Sequence, residues 1–568
     1  MRLRWPDPPA SANADGPTRW VLACLACAAA VIPLATRRQF LTGDPTYYIG
    51  LARSLAAGRG YTFNGETITV YPPGLSALLA PVVAWFDPDV FASQLAIAMF
   101  SPLALLAAVA LAGRHDRRLR VPVAMAMAFS YPVFELATVG VRTDLPYLAL
   151  SIGALAVVGG ARPSATGGQA LATGALVALA VLFRTAGIAL AMAMVAALVH
   201  RRAAGRPIEG FDRGLMVGGI VGLATYLAWA AWATAQGGES YFQYLLLADP
   251  LQPDRGLADP LTLIARMETN LRIHLSSLAA LATNLPWLAP TWSSPFVVGV
   301  GTILAVGTWV EWRKPDPTLA WYVVAYAALL LLWPFREGTR FLVPIFPVAI
   351  LVGWQGAVAL HRRLQAAPSR RAIWLGLAAL AWAVLAGGEA VARPSRQLIL
   401  FAAMWGAAAT LALPAVRTGI GTVIRGRAAA VGALVLVVYV AIGVGRIGPK
   451  AATNVTGVGR SPNQGLEPAV KWLAVNADQA APVMAEFASA VHFYTGLRAV
   501  SLPKTGDATR LVEAVRSARI RYLVILEPDR FGYWRPTEVE RFQILDRAMP
   551  GRFRPIHRFP EGVIYRVD

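Results

Sequence analysis

The residues best suited to chemistry lie where polar groups interrupt long apolar stretches. The first interruption, residues 42–74, carries Asp44, the neighbouring Tyr47 and Tyr48, and Tyr71. A carboxylate beside hydroxyl groups can accept a proton from a bound hydroxyl or orient it for attack. The alternative is that Asp44 only caps a short helix by accepting hydrogen bonds from its first N–H groups. The residues alone leave both roles of Asp44 open, with Asp44 as the candidate catalytic residue and the three tyrosines as candidate substrate-binding residues.

A short helix is predicted directly after this carboxylate, over residues 46–57. Pro45 favours a helix start, because its fixed backbone angle suits the first helical position. Tyr48, Leu51 and Leu55 would share one face of that helix. This pattern predicts a helix lying flat in the membrane interface, with the carboxylate at its positive end.

Charged residues interrupt the apolar pattern at three later points. Arg142 and Asp144 lie in an abrupt turn, where a charge must pair with another group or face water. Arg184, Arg336 and Arg340 lie at segment ends on the side of the membrane where arginine is less common. A guanidinium can hold a phosphate through two parallel hydrogen bonds. These five are candidate substrate-binding residues, against the plainer interpretations of an interfacial turn and of arginines that reach toward the headgroups.

Together the carboxylates and arginines predict a site for a lipid phosphate at the outer end of a helix bundle. Arginines would hold the phosphate as a leaving group, while a carboxylate deprotonates a hydroxyl that attacks a sugar's anomeric carbon. A single displacement of this kind inverts that carbon. Two other classes are a transporter or flippase and a noncatalytic scaffold. A transporter should carry its charges at the bilayer midplane and show an inverted repeat, and neither is visible here.

The elements that position these residues are predicted membrane spans. The chain of 568 residues is 56% hydrophobic and 15% charged, with a mean hydropathy of +0.51, which is too apolar for a water-soluble surface. Stretches near the roughly 20 residues needed for a crossing recur from residue 20 to 445, and predict about thirteen transmembrane helices. They lie near residues 20–36, 90–112, 121–139, 145–160, 170–183, 186–200, 214–235, 294–310, 319–334, 341–360, 374–391, 399–416 and 428–445. Stretches 170–183 and 186–200 are short, so they predict two crossings or one re-entrant hairpin.

Orientation follows from the loops in which arginine and lysine collect. Alternate crossings place five short basic loops on one side: residues 114–120, 200–213, 311–314, 361–371 and 417–427. The positive-inside rule puts them in the cytoplasm with residues 1–19. Much of the formal charge of +20 is explained this way, by contact with anionic membrane lipids and without a nucleic-acid partner. The same pattern requires the first apolar stretch as a crossing and disfavours a signal peptide.

The chain divides into a membrane domain over residues 20–445, a linker over 446–464 and a soluble domain over 465–568. The membrane domain has two long outer loops, residues 37–90 and 234–292. The soluble domain is predicted to be a small extracytoplasmic α/β unit, because helical and strand-like patterns alternate along it. The predicted fold class is thus a polytopic α-helical membrane protein with a small C-terminal α/β domain.

No cofactor and no required metal are predicted. Cys24 and Cys27, the only cysteines, lie within one apolar stretch, which indicates packing rather than a disulfide framework or a thiolate metal site. Of the six histidines only His274 lies on a long outer loop. A lone histidine in such a place is more often a surface or packing residue than a ligand.

The first outer loop resembles that of the GT-C glycosyltransferases. Between residues 43 and 81 the chain reads Gly-Asp-Pro-x-Tyr-Tyr, then Ala-x-x-Leu-x-x-Gly-x-Gly-Tyr, Tyr-Pro-Pro-Gly and Leu-Leu-Ala-Pro. Residues 142–146 are similar to the family's second acidic loop, and residues 336–347 to its late arginine-aromatic stretch. Residues 494–498 resemble part of the periplasmic domain that is often appended to these enzymes. Within the class, the chain looks like the branch of lipopolysaccharide-core galacturonosyltransferases, lipid A aminoarabinose transferases and, more distantly, protein O-mannosyltransferases.

The resemblance implies a multi-pass enzyme of the inner membrane that works on its outer face. It would move a sugar from a polyprenyl-phosphate donor to a lipid, glycan or protein acceptor. Asp44 matches the family's catalytic acidic residue. Many members carry Asp-Glu where this chain has Asp44-Pro45, so this chain has no direct counterpart of that glutamate, and Asp144 and Glu66 are the two candidates for part of its role.

Overall fold

The computed structural model describes Leu25 and residues 40–87, 90–138, 140–160, 167–207, 209–238, 241–250, 255–284, 295–335, 337–366, 434–449, 465–527 and 536–568. The predicted N-terminal segment 1–19 and the predicted spans at 374–391 and 399–416 lie outside these residues. So do the predicted span at 20–36, except for Leu25, and most of the linker.

The described part before residue 450 is almost entirely helical. Its helices are α1 (Asp44–Ala56), α2 (Gly74–Phe86), α3 (Val90–Ala98), α4 (Phe100–His115), α5 (Arg120–Ala128), α6 (Tyr131–Thr138), α7 (Asp144–Gly159), α8 (Gly167–Phe183), α9 (Gly187–Ala203), α10 (Gly210–Ala235), α11 (Tyr241–Leu246), α12 (Pro260–Thr283), α13 (Pro295–Trp312), α14 (Thr318–Leu332), α15 (Phe346–Ala366) and α16 (Leu434–Pro449). Strands β1 (Thr62–Phe63) and β2 (Glu66–Thr67) form a hairpin, and a 3-10 helix covers Gly338–Ile345.

Three helices of the described part are long and apolar enough to cross a bilayer: Val90–His115, Gly210–Ala235 and Gly338–Arg363. Each of the first and third joins two elements end to end. Helices α5 and α6 would give a fourth span, bent by 52°, where the sequence predicts one continuous span over 121–139. Six shorter apolar helices accompany them. The total of about thirteen stays a prediction.

The short stretches at 170–183 and 186–200 are two separate helices, α8 and α9. The turn that joins them carries Arg184. The long outer loops are also more structured than a loop prediction suggests. The first contains α1, the β1–β2 hairpin and α2, and the second contains α11 and α12.

Helix α12 is fastened to the end of α14 by polar side chains on one of its faces. Asn270 donates to the carbonyl oxygens of Leu331 at 2.9 Å and Trp333 at 2.7 Å. His274 is buried on the same helix. Because the last carbonyls of a helix lack partners within it, such donors stabilise the end of α14.

Residues 465–568 form an α/β unit. Its helices are α17 (Glu467–Asn476), α18 (Ala488–Thr495), α19 (Ala508–Ser517) and α20 (Glu538–Ala548), and its strands are β3 (Val483–Ala485), β4 (Ala499–Ser501), β5 (Tyr522–Leu526), β6 (Phe553–Phe559) and β7 (Gly562–Val567). The strand order is β4-β3-β5-β7-β6. The first three strands are parallel, and β7 pairs antiparallel with both β5 and β6.

Candidate active site

The segments that carry the candidate residues pack closely against each other at two glycines, Gly140 and Gly74. A Cβ atom added at Gly140 would lie only 3.2 Å from Cγ of Pro45, so the turn before α7 packs against the start of α1. A Cβ atom at Gly74 would lie 2.7 Å from the Leu182 backbone, so α2 packs against the end of α8. A larger residue at either position would push these segments apart.

Asp44 is the first residue of α1. Gly43, with φ of 66°, precedes the helix, and no side chain caps it. The helix-cap interpretation of Asp44 is therefore wrong. Instead Oδ1 accepts a hydrogen bond from the Tyr71 hydroxyl at 2.9 Å, and Oδ2 accepts one from Arg340 Nη2 at 3.0 Å. The carboxylate side chain keeps 33% exposure, so it remains accessible.

Arg340 joins three carboxylates from different parts of the chain. Its Nε donates to Asp144 Oδ2 at 3.0 Å, its Nη2 to Asp44, and its Nη1 to Glu337. Asp144 is fully buried and also pairs with Arg184. Because buried ions are stable only when they are paired, this network fixes the relative positions of α1, α7 and the 3-10 helix.

Arg142 adds a third positive charge to this cluster. Its positive charge acts to lower the pKa of the Asp44 carboxyl. Its Nε atom is buried and has no hydrogen-bond partner in the described part of the chain. A buried N–H of a cation without an acceptor is costly, so this atom is available to an anion that enters the cluster.

The carboxyl of Asp44 is ionised at neutral pH. Burial acts to raise the pKa of Asp44, but Arg340, Arg142 and the Tyr71 hydroxyl outweigh burial and lower it below its ordinary value of 3.8. Burial and the neighbouring Asp44 raise the pKa of Tyr71 well above 10.0. The tyrosine therefore stays protonated, and its hydroxyl donates a hydrogen bond to the carboxylate.

The three candidate tyrosines form one aromatic wall beside this carboxylate. The ring centroids of Tyr47 and Tyr48 lie 5.2 Å and 5.1 Å from that of Tyr71. Tyr48 is buried, whereas Tyr47 is partly exposed. Of the two neighbours, Tyr47 is therefore the one that can contact a bound molecule.

An apolar cavity of about 250 Å³ adjoins Arg184. Arg184 lines it together with Met192, Tyr226, Leu329, Trp333 and Phe341. The Arg184 guanidinium carbon lies 5.2 Å from the centroid of the Phe341 ring. The cavity therefore combines an apolar wall with a single cation at one side.

Two of the predicted positions cannot be assigned to this cluster, one because it lies outside the described residues and the other because it lies elsewhere in the first loop. Arg336 lies outside the described residues. Glu66 is exposed on the β1–β2 hairpin, whereas Asp144 shares Arg340 with Asp44. No group of three or more His, Cys, Asp or Glu side chains could hold a metal ion in the described part of the chain.

Sequence reasoning missed the tyrosines whose hydroxyl groups form hydrogen bonds inside the helices next to the cluster. The Tyr326 hydroxyl donates to the Phe341 carbonyl oxygen at 2.8 Å, which anchors the 3-10 helix that carries Arg340. The Tyr147 and Tyr322 hydroxyls lie 3.1 Å apart. Tyrosines within apolar helices could have indicated such hydrogen bonds, because a buried hydroxyl group needs a hydrogen-bond partner. Glu337 was also missed, although it lies three residues before Arg340 and pairs with it.

Neither a protein-family model nor a curated protein sequence matches the chain. Solved structures do match it. ArnT from Cupriavidus metallidurans bound to undecaprenyl phosphate aligns with a TM-score of 0.53 at 16% identity, over 97% of this chain and 98% of that chain. The archaeal oligosaccharyltransferase AglB from Archaeoglobus fulgidus, in complex with an inhibitory peptide and a dolichol-phosphate, aligns with a TM-score of 0.52 at 13% identity, over 89% and 69%. The chain therefore has the fold of the GT-C membrane glycosyltransferases, the class that its first loop resembles.

Proposed function

We propose that this protein transfers a sugar from a polyprenyl-phosphate-sugar donor to a lipid, glycan or protein acceptor. The observation that carries the proposal is the pairing of the accessible Asp44 carboxylate with Arg340, within a cluster that adjoins an apolar cavity. This arrangement supplies both halves of a lipid-phosphate site, a cationic end and an apolar wall. The bound lipid phosphates of ArnT and AglB support a ligand of the same chemical class.

In this proposal the donor phosphate binds to the arginines, and its isoprenoid chain enters the cavity beside Arg184. Arg142 would be the first to engage, because its Nε has no partner in the described structure. Arg184 and Arg340 already bind Asp144, so they stay fixed while they contribute charge. Hydrogen bonds between ions are stronger than neutral ones, and a planar guanidinium suits phosphate.

The chemical step would use Asp44. An acceptor hydroxyl attacks the anomeric carbon, the new carbon–oxygen bond forms, and the bond to the phosphate oxygen breaks. The polyprenyl phosphate leaves with the bonding electron pair, and the acceptor's proton passes to the Asp44 carboxylate. Attack from the side opposite the leaving phosphate inverts the anomeric carbon. Asp144 is fully buried, so its role in the proposal is to hold Arg184 and Arg340 rather than to touch the acceptor.

The proposed setting is the outer face of the inner membrane, with the site and residues 465–568 outside the cytoplasm. The basic loops support this orientation, because they would all lie on the opposite side. Reporter fusions after residue 120 and after residue 568 should report opposite sides of the membrane. The same side for both would contradict the orientation.

Transfer of labelled sugar from a panel of polyprenyl-phosphate sugars tests the proposal with protein purified in lipid. Asp44→Asn removes the proton acceptor but keeps the size of the side chain, and should lower turnover by about 100-fold to 10,000-fold. The matched control is Glu66→Gln, which changes an exposed carboxylate in the same loop. It should leave turnover within about twofold of wild type, since no step of the proposed mechanism uses Glu66.

The transfer assay has three informative outcomes. Transfer that depends on Asp44 but not on Glu66 supports the proposal and names the donor. Transfer that survives Asp44→Asn removes Asp44 from the chemical step. Movement of a lipid-linked substrate across the membrane by wild type, without any sugar transfer, would favour the transporter alternative.

A further inference from the structure

The C-terminal domain packs directly on the helix that carries Asp44. Helix α18 contacts α1, and Phe493 of α18 is buried in the same hydrophobic cluster as Tyr48, Ile49 and Ala52 of α1. A residue more than 400 positions away therefore completes the core of the first outer loop. Burial of this kind excludes water and stabilises the two parts together.

Asn64 at the hairpin between β1 and β2 pairs with the edge of the C-terminal sheet. Its Nδ2 donates to the Ala499 carbonyl oxygen at 2.6 Å, and its Oδ1 accepts from the Ala499 N–H at 3.1 Å. The side chain thus binds β4 much as a neighbouring strand would. Asn64 has φ of 55°, a left-handed conformation that asparagine and glycine tolerate best.

His492 of α18 fastens the same hairpin. Its Nε2 accepts a hydrogen bond from the Asn64 backbone N–H at 3.2 Å, while Nδ1 lies 2.9 Å from the Leu497 carbonyl oxygen. Since a carbonyl can only accept, the ring proton lies on Nδ1 and Nε2 is free to accept. The Phe63 ring fills the space between this imidazole, 4.8 Å away, and Gly50 of α1, where a Cβ would lie 2.2 Å from the ring.

The domain also holds the chain on both sides of Asp44. The Leu41 N–H donates to the Tyr494 hydroxyl at 2.8 Å, three residues before the carboxylate. Within α1, the Arg53 guanidinium lies 4.2 Å from the centroid of the Phe493 ring and pairs with Asp87 at 2.6 Å. An isolated helix of 13 residues is marginally stable in water. These contacts therefore restrict how far α1 can shift.

We propose that the C-terminal domain is a positioning part of the active site, with Asn64, Tyr494 and His492 as positioning residues for Asp44. This inference rests on the proposed function for its kinetic consequence. A catalytic group must be held within about 0.5 Å of its working position, and a displacement of about 1 Å can cost a factor of about 100. The α18 contacts restrain α1, the helix that carries Asp44, in addition to the bonds that the carboxylate makes to Arg340 and Tyr71.

The test combines two mild substitutions in the full chain, Asn64→Gly and Tyr494→Phe. Glycine keeps the left-handed conformation but removes both bonds to Ala499, and phenylalanine keeps the ring stacked on Phe40 but removes the bond to Leu41. The matched control is Thr537→Ala, which removes the cap of α20 within the same domain, away from α1.

The double variant should lower kcat about tenfold while the donor KM stays within about twofold, because Asp44 shifts but the arginines do not. Amide hydrogen exchange over residues 44–56 should become about tenfold faster, and Thr537→Ala should change neither quantity. Unchanged exchange in the double variant, or an equal loss of kcat in Thr537→Ala, would overturn the inference. The exchange measurement needs no substrate, so it tests the positioning even if the proposed reaction proves wrong.

Discussion

Two buried arginine–carboxylate clusters, at opposite ends of the helix bundle, differ in what surrounds them. Asp144 and Asp212 are alike: each lies in the first turn of an apolar helix, each is buried, and each pairs with arginine. Helix α9 separates them, because it begins beside Arg184 and carries Arg201 near its far end. Its 17 residues span about 25 Å.

The cluster at Asp212 is closed. Arg201 reaches both oxygens of Asp212, at 2.6 Å and 3.2 Å, and its Nη1 donates to the Pro315 carbonyl oxygen at 2.5 Å. The Asp212 carboxylate also accepts from the Glu209 N–H at 2.9 Å. The hydrogen bonds of Arg201 and Asp212 connect α9, α10 and the loop before α14. Such a cluster is structural.

The cluster at Asp144 is open. The N–H donors of Arg340 bind three different carboxylates. One of these, the Asp44 side chain, is 33% exposed to solvent. Arg184 lines a cavity, and Arg142 holds a buried N–H without a partner in the described residues. Burial and pairing with a carboxylate are common to both clusters, so these two features alone do not mark an arginine as a candidate for ligand binding. The features that distinguish the Asp144 cluster are an arginine N–H without an acceptor in the described residues and a cavity beside one of its arginines.

The largest expected difference between the two clusters is in the effect of the same Asp→Asn substitution on sugar transfer. Asp144→Asn and Asp212→Asn each leave buried arginine charge uncompensated, so each should cost about 3 kcal/mol of stability and lower the apparent Tm in detergent. Only Asp144→Asn should also lower kcat/KM for sugar transfer, by about 100-fold, because it releases Arg184 and Arg340. Transfer assays on the folded fraction of each variant, beside melting curves, measure both effects. Equal losses of activity would remove the distinction between open and closed clusters.

A smaller effect concerns the pH dependence of transfer. The depressed pKa of Asp44 keeps its carboxylate ionised at every pH above the ordinary value of 3.8, and the charge is lost only as pH falls through the lower folded value. Arg340→Gln removes the strongest lowering influence, so the pKa of Asp44 should rise. The acid limb of kcat/KM should then move to higher pH, whereas Arg201→Gln should leave it in place. An acid limb that does not move in Arg340→Gln would show that Asp44 does not control it.

Local features near the site were predictable because their causes are local. The helix expected over residues 46–57 is observed at Asp44–Ala56, since Pro45 and the apolar spacing define its start and face. The sequence also pointed to Arg142, Asp144, Arg184 and Arg340 as charges at segment ends. The structure brings all four together with Asp44 among the described residues.

Contacts between distant segments were not predictable from one sequence. The pairing of Asn64 with Ala499 joins residues 435 positions apart, and no local pattern predicts a contact between them. The bend between α5 and α6 was also missed, because both halves are equally apolar and composition alone does not show a break. Which carboxylate shares Arg340 likewise depends on packing, as the choice between Asp144 and Glu66 shows.

The most direct test of the open cluster is a comparison of undecaprenyl phosphate with undecaprenol as ligands of the wild-type protein and of Arg142→Gln. The two lipids differ only in the phosphate, so the difference in Kd measures what the arginines recognise. Wild type should bind the phosphate at least about tenfold more tightly than the alcohol, since one charged hydrogen bond contributes about 1.5–3 kcal/mol. Arg142→Gln should lose most of that difference and keep the wild-type Tm. Equal affinity of wild type for both lipids would contradict the assignment of this cluster as a phosphate site.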